Sequence, residues 1–192
     1  MRHPRTLLPA GFVAVCAALA AVLGGSAAAG VVVHDSIHDE YSYVLEDFCD
    51  VAGLDVAVDS TLDIQARIGP RGPDGPLYFV SHGRQHEVLT ANGTSLTSDA
   101  VVNEKDHKIT LNPDGTLTVL VLATGNAVLY GPDGKAIARN PGQLRFELLI
   151  DEMGTPDPSD DEVTRLGNVK GSTGRTDDYC AAAVPALTGS TS

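Results

Sequence analysis

Three Pro-Asp-Gly tripeptides separate runs in which apolar and polar residues alternate: Pro73-Asp74-Gly75, Pro113-Asp114-Gly115 and Pro132-Asp133-Gly134. Proline presets φ at about −65° for the first corner of a turn, aspartate bonds its own backbone, and glycine accepts a positive φ. Tight turns between segments of period two are typical of antiparallel hairpins. These turns therefore constrain the chain to an antiparallel β fold, and they say little about its chemistry.

Alternation between the turns predicts about eight strands. It is clearest over residues 54–68, where one parity is apolar and the other is polar. Residues 77–90 and 95–111 are predicted to form a long hairpin that turns at Asn92-Gly93, the strongest two-residue hairpin signal. The other strands are predicted over residues 41–49, 116–123, 126–130, 135–139 and 144–151. The pattern predicts an all-β antiparallel meander, with a closed barrel favoured over two packed sheets because closure removes edge strands.

A helix signal appears near the C-terminus. Ser159 and Glu162 have the spacing of a capping box. Asp160 and Asp161 suit the positive end of a helix dipole, and Gly167 is a natural stop. The pattern predicts one short C-terminal helix. Calcium binding is the alternative for this acidic stretch, but the alternating ligands and central glycine of an EF-hand are absent.

The first 29 residues have the layout of a secretory signal peptide. Arg2 and Arg5 form a basic n-region, and residues 7–23 are apolar. Ala27-Ala28-Ala29 then offers a cleavage site of small residues. The apolar run is short for a membrane span and no stop-transfer segment follows it, so export is expected to leave no anchor. The predicted organisation is a signal peptide over 1–29, a flexible lead-in over 30–40, a single β domain over 41–187 and a disordered tail over 188–192.

The charge balance limits the expected partners. The chain has 13 lysine and arginine residues against 25 aspartate and glutamate residues, a formal net charge of −12 at pH 7. A surface this acidic disfavours nucleic acid and anionic membranes as partners. The expected partner of the secreted, extracellular chain is therefore a small molecule or a surface partner, and no cofactor is predicted.

Two cysteines remain after removal of the segment that contains Cys16: Cys49 and Cys180. In a secreted chain they are most simply one disulfide bond. Both end the same acid-acid-aromatic-cysteine pattern, and the bond would gather the four carboxylates Glu46, Asp47, Asp177 and Asp178. Solvated acids around a structural bond are the preferred interpretation. A cation site or an acid/base carboxylate pair is the alternative.

Histidines occur in two pairs at spacing i, i+4: His34 with His38, and His82 with His86. On a helix this spacing can hold zinc. The segments read as coil and strand, however, and on a strand the two side chains would be about 13 Å apart. His82 and His86 are therefore predicted to be exposed strand residues, and no metal ligand is assigned. A Gly-x-Ser-x-Gly elbow is also absent, so no catalytic residue is predicted.

Four segments resemble a group of secreted actinobacterial proteins whose activity is uncharacterised. They are Glu46-Asp47-Phe48-Cys49, residues 123–126 (ATGN), residues 130–143 (YGPDGKAIARNPGQ) and residues 170–180 (KGSTGRTDDYC). The resemblance covers most of the mature chain. It implies secretion and a β fold, and it supplies no catalytic residue.

Two classes of function remain open. A non-enzymatic domain that binds a ligand or a surface partner is preferred, because no catalytic constellation is recognisable. The alternative is an enzyme that works inside a barrel cavity, with Tyr43, Glu46, Arg145 or Glu147 as its polar lining. A large enclosed cavity with convergent polar groups would favour a ligand site, and a filled core would favour an interaction module.

Overall fold

The computed structural model describes residues 33–70, 77–154, 160–171 and 173–189. These residues form β1 (Val33–Leu45), β2 (Val56–Pro70), β3 (Leu77–Ala91), β4 (Thr94–Leu111), β5 (Leu117–Tyr130), β6 (Ala136–Asp151), β7 (Glu162–Lys170) and the helix α1 (Tyr179–Thr188). A single 3₁₀ turn, Phe48–Asp50, follows β1. The predicted signal peptide, the Pro73-Asp74-Gly75 turn and Ser159 lie outside the described residues.

The described strands form one antiparallel sheet in the order β1-β2-β3-β4-β5-β6-β7, which confirms the predicted meander. The predicted closed barrel is wrong, because β1 and β7 stand at opposite edges of an open sheet. The prediction of a closed barrel rested on the removal of unpaired edge strands and did not consider a helix that packs on the sheet. The helix covers the apolar cluster that includes Val56, Val58 and Leu96, so this part of the core is buried without closure of the sheet.

The structure has seven strands where about eight were predicted. Two pairs of predicted strands are each one continuous strand, and β7 was not predicted. Residues 116–123 and 126–130 belong to one strand, β5, and residues 135–139 and 144–151 belong to β6. The small polar residues around Gly125 and the Pro141-Gly142 pair had suggested breaks. Asn126 nevertheless pairs with Pro141. Proline lacks a backbone N–H group, so it is tolerated in a strand where that group is not needed for pairing, and β7 pairs only with residues 145–151 of β6.

The predicted helix after Ser159 is wrong, because Glu162–Lys170 is the edge strand β7. Val163 of β7 pairs with Ile150 of β6, and the Arg165 guanidinium lies 4.4 Å from the ring centroid of Phe146. An isolated helix of two turns is marginal in water, so these tertiary contacts outweigh a local capping signal.

A short C-terminal helix does exist, and it begins later, at Tyr179. The side chain of Asp178 caps it by accepting a hydrogen bond from the backbone N–H of Ala181 (2.9 Å), and Gly189 ends it with φ of 70°. Both chain ends therefore differ from expectation. Residues 33–40 of the predicted flexible lead-in belong to β1, and Thr188 of the predicted tail closes α1.

The hairpin predictions are confirmed where the structure describes them. Asn92 and Gly93 have φ of 51° and 75°, the pair of positive values that a type I′ turn between β3 and β4 requires. In the turns at Gly115 and Gly134, the preceding aspartates Asp114 and Asp133 accept hydrogen bonds from backbone N–H groups two residues on, each at 3.1 Å. In both turns the aspartate bonds the nearby backbone and the glycine adopts a positive φ, as predicted from the sequence.

The sheet has two unlike faces. The inner face carries the core, and α1 packs there against β3, β4 and β6. The largest fully buried side chains of the protein are Leu96, Leu129, Leu187, Val56 and Val58, all in the cluster beneath α1. The opposite face, called the outer face below, carries the polar parity of the strands, and side chains such as His38 and Asp63 are each 60% exposed there.

The predicted disulfide bond is confirmed: Cys49 and Cys180 are joined, with their Cα atoms 5.6 Å apart. It fixes α1 to the 3₁₀ turn that follows β1. Before α1, residues 173–178 form a strap that runs along residues 139–143 of β6, on the side where β7 does not reach. The backbone N–H of Thr173 donates to the carbonyl of Gln143 (3.1 Å), and that of Asp177 donates to the carbonyl of Arg139 (3.2 Å).

Candidate functional surface

Four cationic side chains form a row across the outer face. The basic row consists of Arg67 (β2), Lys105 (β4), Arg145 (β6) and Lys170 (β7). The strand register aligns them, with Val80 of β3 between Arg67 and Lys105, and Leu122 of β5 between Lys105 and Arg145. Lys170 stands directly opposite Arg145. Since neighbouring strands are about 4.8 Å apart, cations on alternate strands repeat at about 10 Å.

The cations of the basic row are not neutralised by the sheet. Within the part of the chain that the structure describes, none of the four forms an ion pair with a carboxylate. The Nε atom of Arg145 is buried and has no hydrogen-bond partner among these residues. On one side, the neighbouring row formed by Gln65, His82, Asn103, Thr124 and Gln143 contains no carboxylate. On the other side, Glu147 stands two residues from Arg145 on the same parity of β6. A local excess of positive charge thus exists in a chain of net charge −12.

Histidines of the outer face are held by cross-strand hydrogen bonds, and among His38, His82 and His86 it is His82 that lies in the row next to the basic row. His38 Nδ1 lies 2.7 Å from an Asp63 oxygen, and His86 Nδ1 lies 2.7 Å from an Asp99 oxygen. The hydrogen bond with Asp63 and the charge of its carboxylate raise the pKa of His38. His82 Nδ1 lies 2.8 Å from the side-chain oxygen of its β4 partner.

The strand prediction for His82 and His86 is confirmed, with His86 exposed and His82 half-buried. His34 and His38 lie on β1 rather than in a coil. In residues 33–70, 77–154, 160–171 and 173–189, no three His, Cys, Asp or Glu side chains are grouped as metal ligands.

A shallow depression opens on the outer face in the middle of the basic row. Its volume is about 180 Å³, and it is lined by Val80, Asn103, Glu104, Lys105, Leu122 and Thr124. This is smaller than the roughly 300–1,000 Å³ of a typical small-molecule pocket. The depression therefore suits one substituent of a larger ligand better than a whole drug-sized molecule.

The inner face carries a second polar group, the inner polar cluster of Tyr41, Tyr43, Ser60, Gln85 and Glu87. Gln85 Nε2 donates to Tyr41 Oη, Ser60 Oγ and Glu87 Oε1 at 3.2, 3.2 and 2.9 Å. Tyr43 donates to Glu87 Oε1 at 3.2 Å. Burial raises the pKa of Glu87, and burial with the nearby Glu87 charge raises the pKa of Tyr43 to about 12. At neutral pH the tyrosine is a hydrogen-bond donor, and the network provides partners for several polar groups inside the core, although Gln85 Oε1 has no hydrogen-bond partner among the described residues.

The structure does not gather the polar lining predicted for an enzyme. Tyr43 joins the inner polar cluster, whereas Arg145 and Glu147 belong to the parity of β6 that faces the opposite side. Glu46 is exposed just after β1. The enzyme alternative also assumed a closed barrel, and the open sheet removes that assumption.

The acidic residues near the disulfide bond serve the local backbone. Asp47 accepts a hydrogen bond from the N–H of Gly53 (2.7 Å). Asp177 belongs to the strap, Asp178 caps α1, and Glu46 is exposed. The described contacts therefore give Asp47, Asp177 and Asp178 roles in holding the local backbone.

No family model matches the chain, and neither a curated protein nor a solved structure is found to be similar to it. None of the helical residues described here forms a segment long and apolar enough to span a membrane. The resemblance to secreted actinobacterial proteins stays a prediction.

Proposed function

We propose that this protein is a secreted, extracellular binding domain whose partner is a linear acidic polysaccharide held on the basic row. The observation that carries the proposal is the row itself: four cations from four strands, none of which forms an ion pair with a carboxylate in the described part of a chain of net charge −12. Clusters of lysine and arginine on one surface are the usual electrostatic footprint of polyanion binding. The signal-peptide pattern and the disulfide bond support the extracellular compartment.

The shape of the positive region favours a single linear chain over a broad anionic surface. Beyond the uncharged neighbouring row, the outer face carries carboxylates, including Asp59, Asp63 and Asp99. A membrane or a nucleic-acid duplex would cover these carboxylates as well as the cations, and the like charges would repel. A chain one sugar unit wide can follow the row without reaching these three residues, and on the other flank it passes Glu147 beside Arg145.

Single-stranded nucleic acid also fits poorly. Proteins that bind it stack the bases on aromatic side chains. From β2 to β7 the positions of the basic row carry arginine, lysine, valine and leucine, and the β1 position opposite Arg67 is His34, so the row offers no phenylalanine, tyrosine or tryptophan ring. Nucleic acid and membranes are therefore not the partners that this surface favours.

Binding of this kind is electrostatic and cooperative along the ligand. One exposed ion contact contributes little, about 0–1 kcal/mol. Several contacts along a repeating anion add up, and they weaken together as salt rises because counterions are released on binding. From Arg67 to Arg145 the row crosses four strand intervals, about 19 Å, which corresponds to several sugar units.

Calorimetric titration with an oligogalacturonate, compared with neutral dextran, tests the proposal. We expect binding of the oligogalacturonate alone, and the double variant Arg67→Gln, Lys105→Gln should lower its affinity by about tenfold or more at low salt. Lys135→Gln is the matched control, because Lys135 is 83% exposed at the β5–β6 turn and already paired with Asp133. Equal binding of dextran, or an unchanged affinity in the double variant, would contradict the proposal.

A further inference from the structure

We infer that the depression in the basic row is a subsite for an N-acyl group, so that the preferred polymer carries acetamido groups beside its carboxylates. The inference rests on the proposed function, because the same row holds the polymer. It adds a chemical class: an N-acetylated acidic polysaccharide rather than a plain polyuronate.

The lining of the depression combines an apolar surface with hydrogen-bonding groups, and Glu104 also lines it from the other parity of β4, where it pairs with Ser81 and Ala123. Lys105 stands directly opposite both Val80 and Leu122, and Asn103 stands directly opposite Thr124. Directly opposed residues have Cβ atoms about 5 Å apart, so these side chains border one small space. Val80 is 40% exposed, so its methyl groups are accessible to a ligand.

A chain of hydrogen bonds orients the amide of Asn103. Arg84 Nε donates to His82 Nε2 (3.3 Å), so in the neutral ring the proton of His82 is on Nδ1. His82 Nδ1 then donates to Asn103 Oδ1 (2.8 Å). The acceptor end of the Asn103 amide is thereby occupied, and its Nδ2 donor end is the part offered to a ligand.

An N-acyl group matches this set of groups. Its carbonyl oxygen accepts from Asn103 Nδ2, its N–H can donate to Thr124 Oγ1, and its methyl group contacts Val80 and Leu122. The volume of about 180 Å³ equals about six water volumes of 30 Å³ each, enough for an acetamido group of four heavy atoms. A hydroxyl group would leave the apolar surface uncovered, and an alkyl chain would leave the Asn103 donor without a partner.

Two acidic oligosaccharides with equal numbers of carboxylates separate the subsite from the row: a hyaluronan oligosaccharide, which carries N-acetyl groups, and an oligogalacturonate, which does not. In calorimetric titration we expect the native protein to prefer hyaluronan by about tenfold, the effect of one hydrogen bond with an apolar contact. Asn103→Ala should abolish this preference and leave the affinity for oligogalacturonate unchanged.

The control variant is Asn126→Ala, which removes an exposed amide from the outer face two residues from Thr124 and should leave the preference intact. Leu122→Ala should reduce the preference through the apolar contact. Equal affinities of the native protein for the two oligosaccharides, with both lost in Arg67→Gln, Lys105→Gln, would overturn the subsite and leave the proposed function standing. A preference that persists in Asn103→Ala would also overturn the subsite, and binding of neither oligosaccharide would overturn both proposals.

Discussion

Asp106 offers the most quantitative test of the fold. It lies on β4 across from buried Val121, and its carboxylate accepts a hydrogen bond from the backbone N–H of Phe79 (2.9 Å). Burial raises the pKa of Asp106 from 3.8 to about 6, against the opposing effect of the Phe79 hydrogen bond. The perturbation is Asp106→Asn, which removes the charge and keeps an oxygen that can accept from Phe79.

The direction of the effect follows from proton binding. Between pH 3.8 and about 6 the folded protein holds a proton on Asp106 that the unfolded chain has lost. The free energy of unfolding of the native sequence therefore falls as pH rises through this window, and the asparagine variant lacks this loss. A pKa difference of about two corresponds to about 3 kcal/mol.

Urea unfolding of both proteins at a series of pH values from about 3.5 to about 7 measures this loss. Other titrating groups contribute equally to both proteins and cancel in the difference. We expect the variant to gain up to about 3 kcal/mol over the native sequence from the lowest to the highest pH. Two parallel stability curves across this range would refute the assigned burial of the Asp106 carboxylate.

Two further predictions concern the C-terminal elements. Replacing both Cys49 and Cys180 by serine should lower the free energy of unfolding by up to about 5 kcal/mol, the loop-entropy value for this long closure; urea midpoints equal to those of the native protein would show that the bond is not stabilising. Asp178→Ala should cost about 1 kcal/mol through loss of the α1 cap, measured against exposed Glu46→Ala. A loss no larger than in that control would contradict the capping role.

Local patterns were enough for the turns, most of the strands and the disulfide bond. Asn92-Gly93 determines its own turn and, with it, the pairing of Val80 with Lys105, because both are equally distant from the turn. β7 was missed because a capping spacing is local, whereas the pairing of Val163 with Ile150 is not.

The basic row depends on relations that no local pattern contains. Arg67 and Lys170 lie in strands five places apart in the sheet, and five successive registers must be known before they can be placed in one row. The net charge of −12 predicted an acidic surface, because a net charge sums over the whole molecule and carries no information on where the charges lie. The charge argument correctly describes the molecule as acidic and does not describe this part of its outer face.

The strap also covers part of a sheet edge. β7 ends opposite Arg145, so the first half of β6 would present an open edge to which a strand of another molecule could add. Residues 173–178 occupy that edge, and Gly174 is required there because a Cβ atom would overlap the carbonyl of Pro141. The disulfide bond anchors the helix that follows. An oxidising environment therefore does more than add stability: it keeps a cover over an edge that would otherwise invite aggregation.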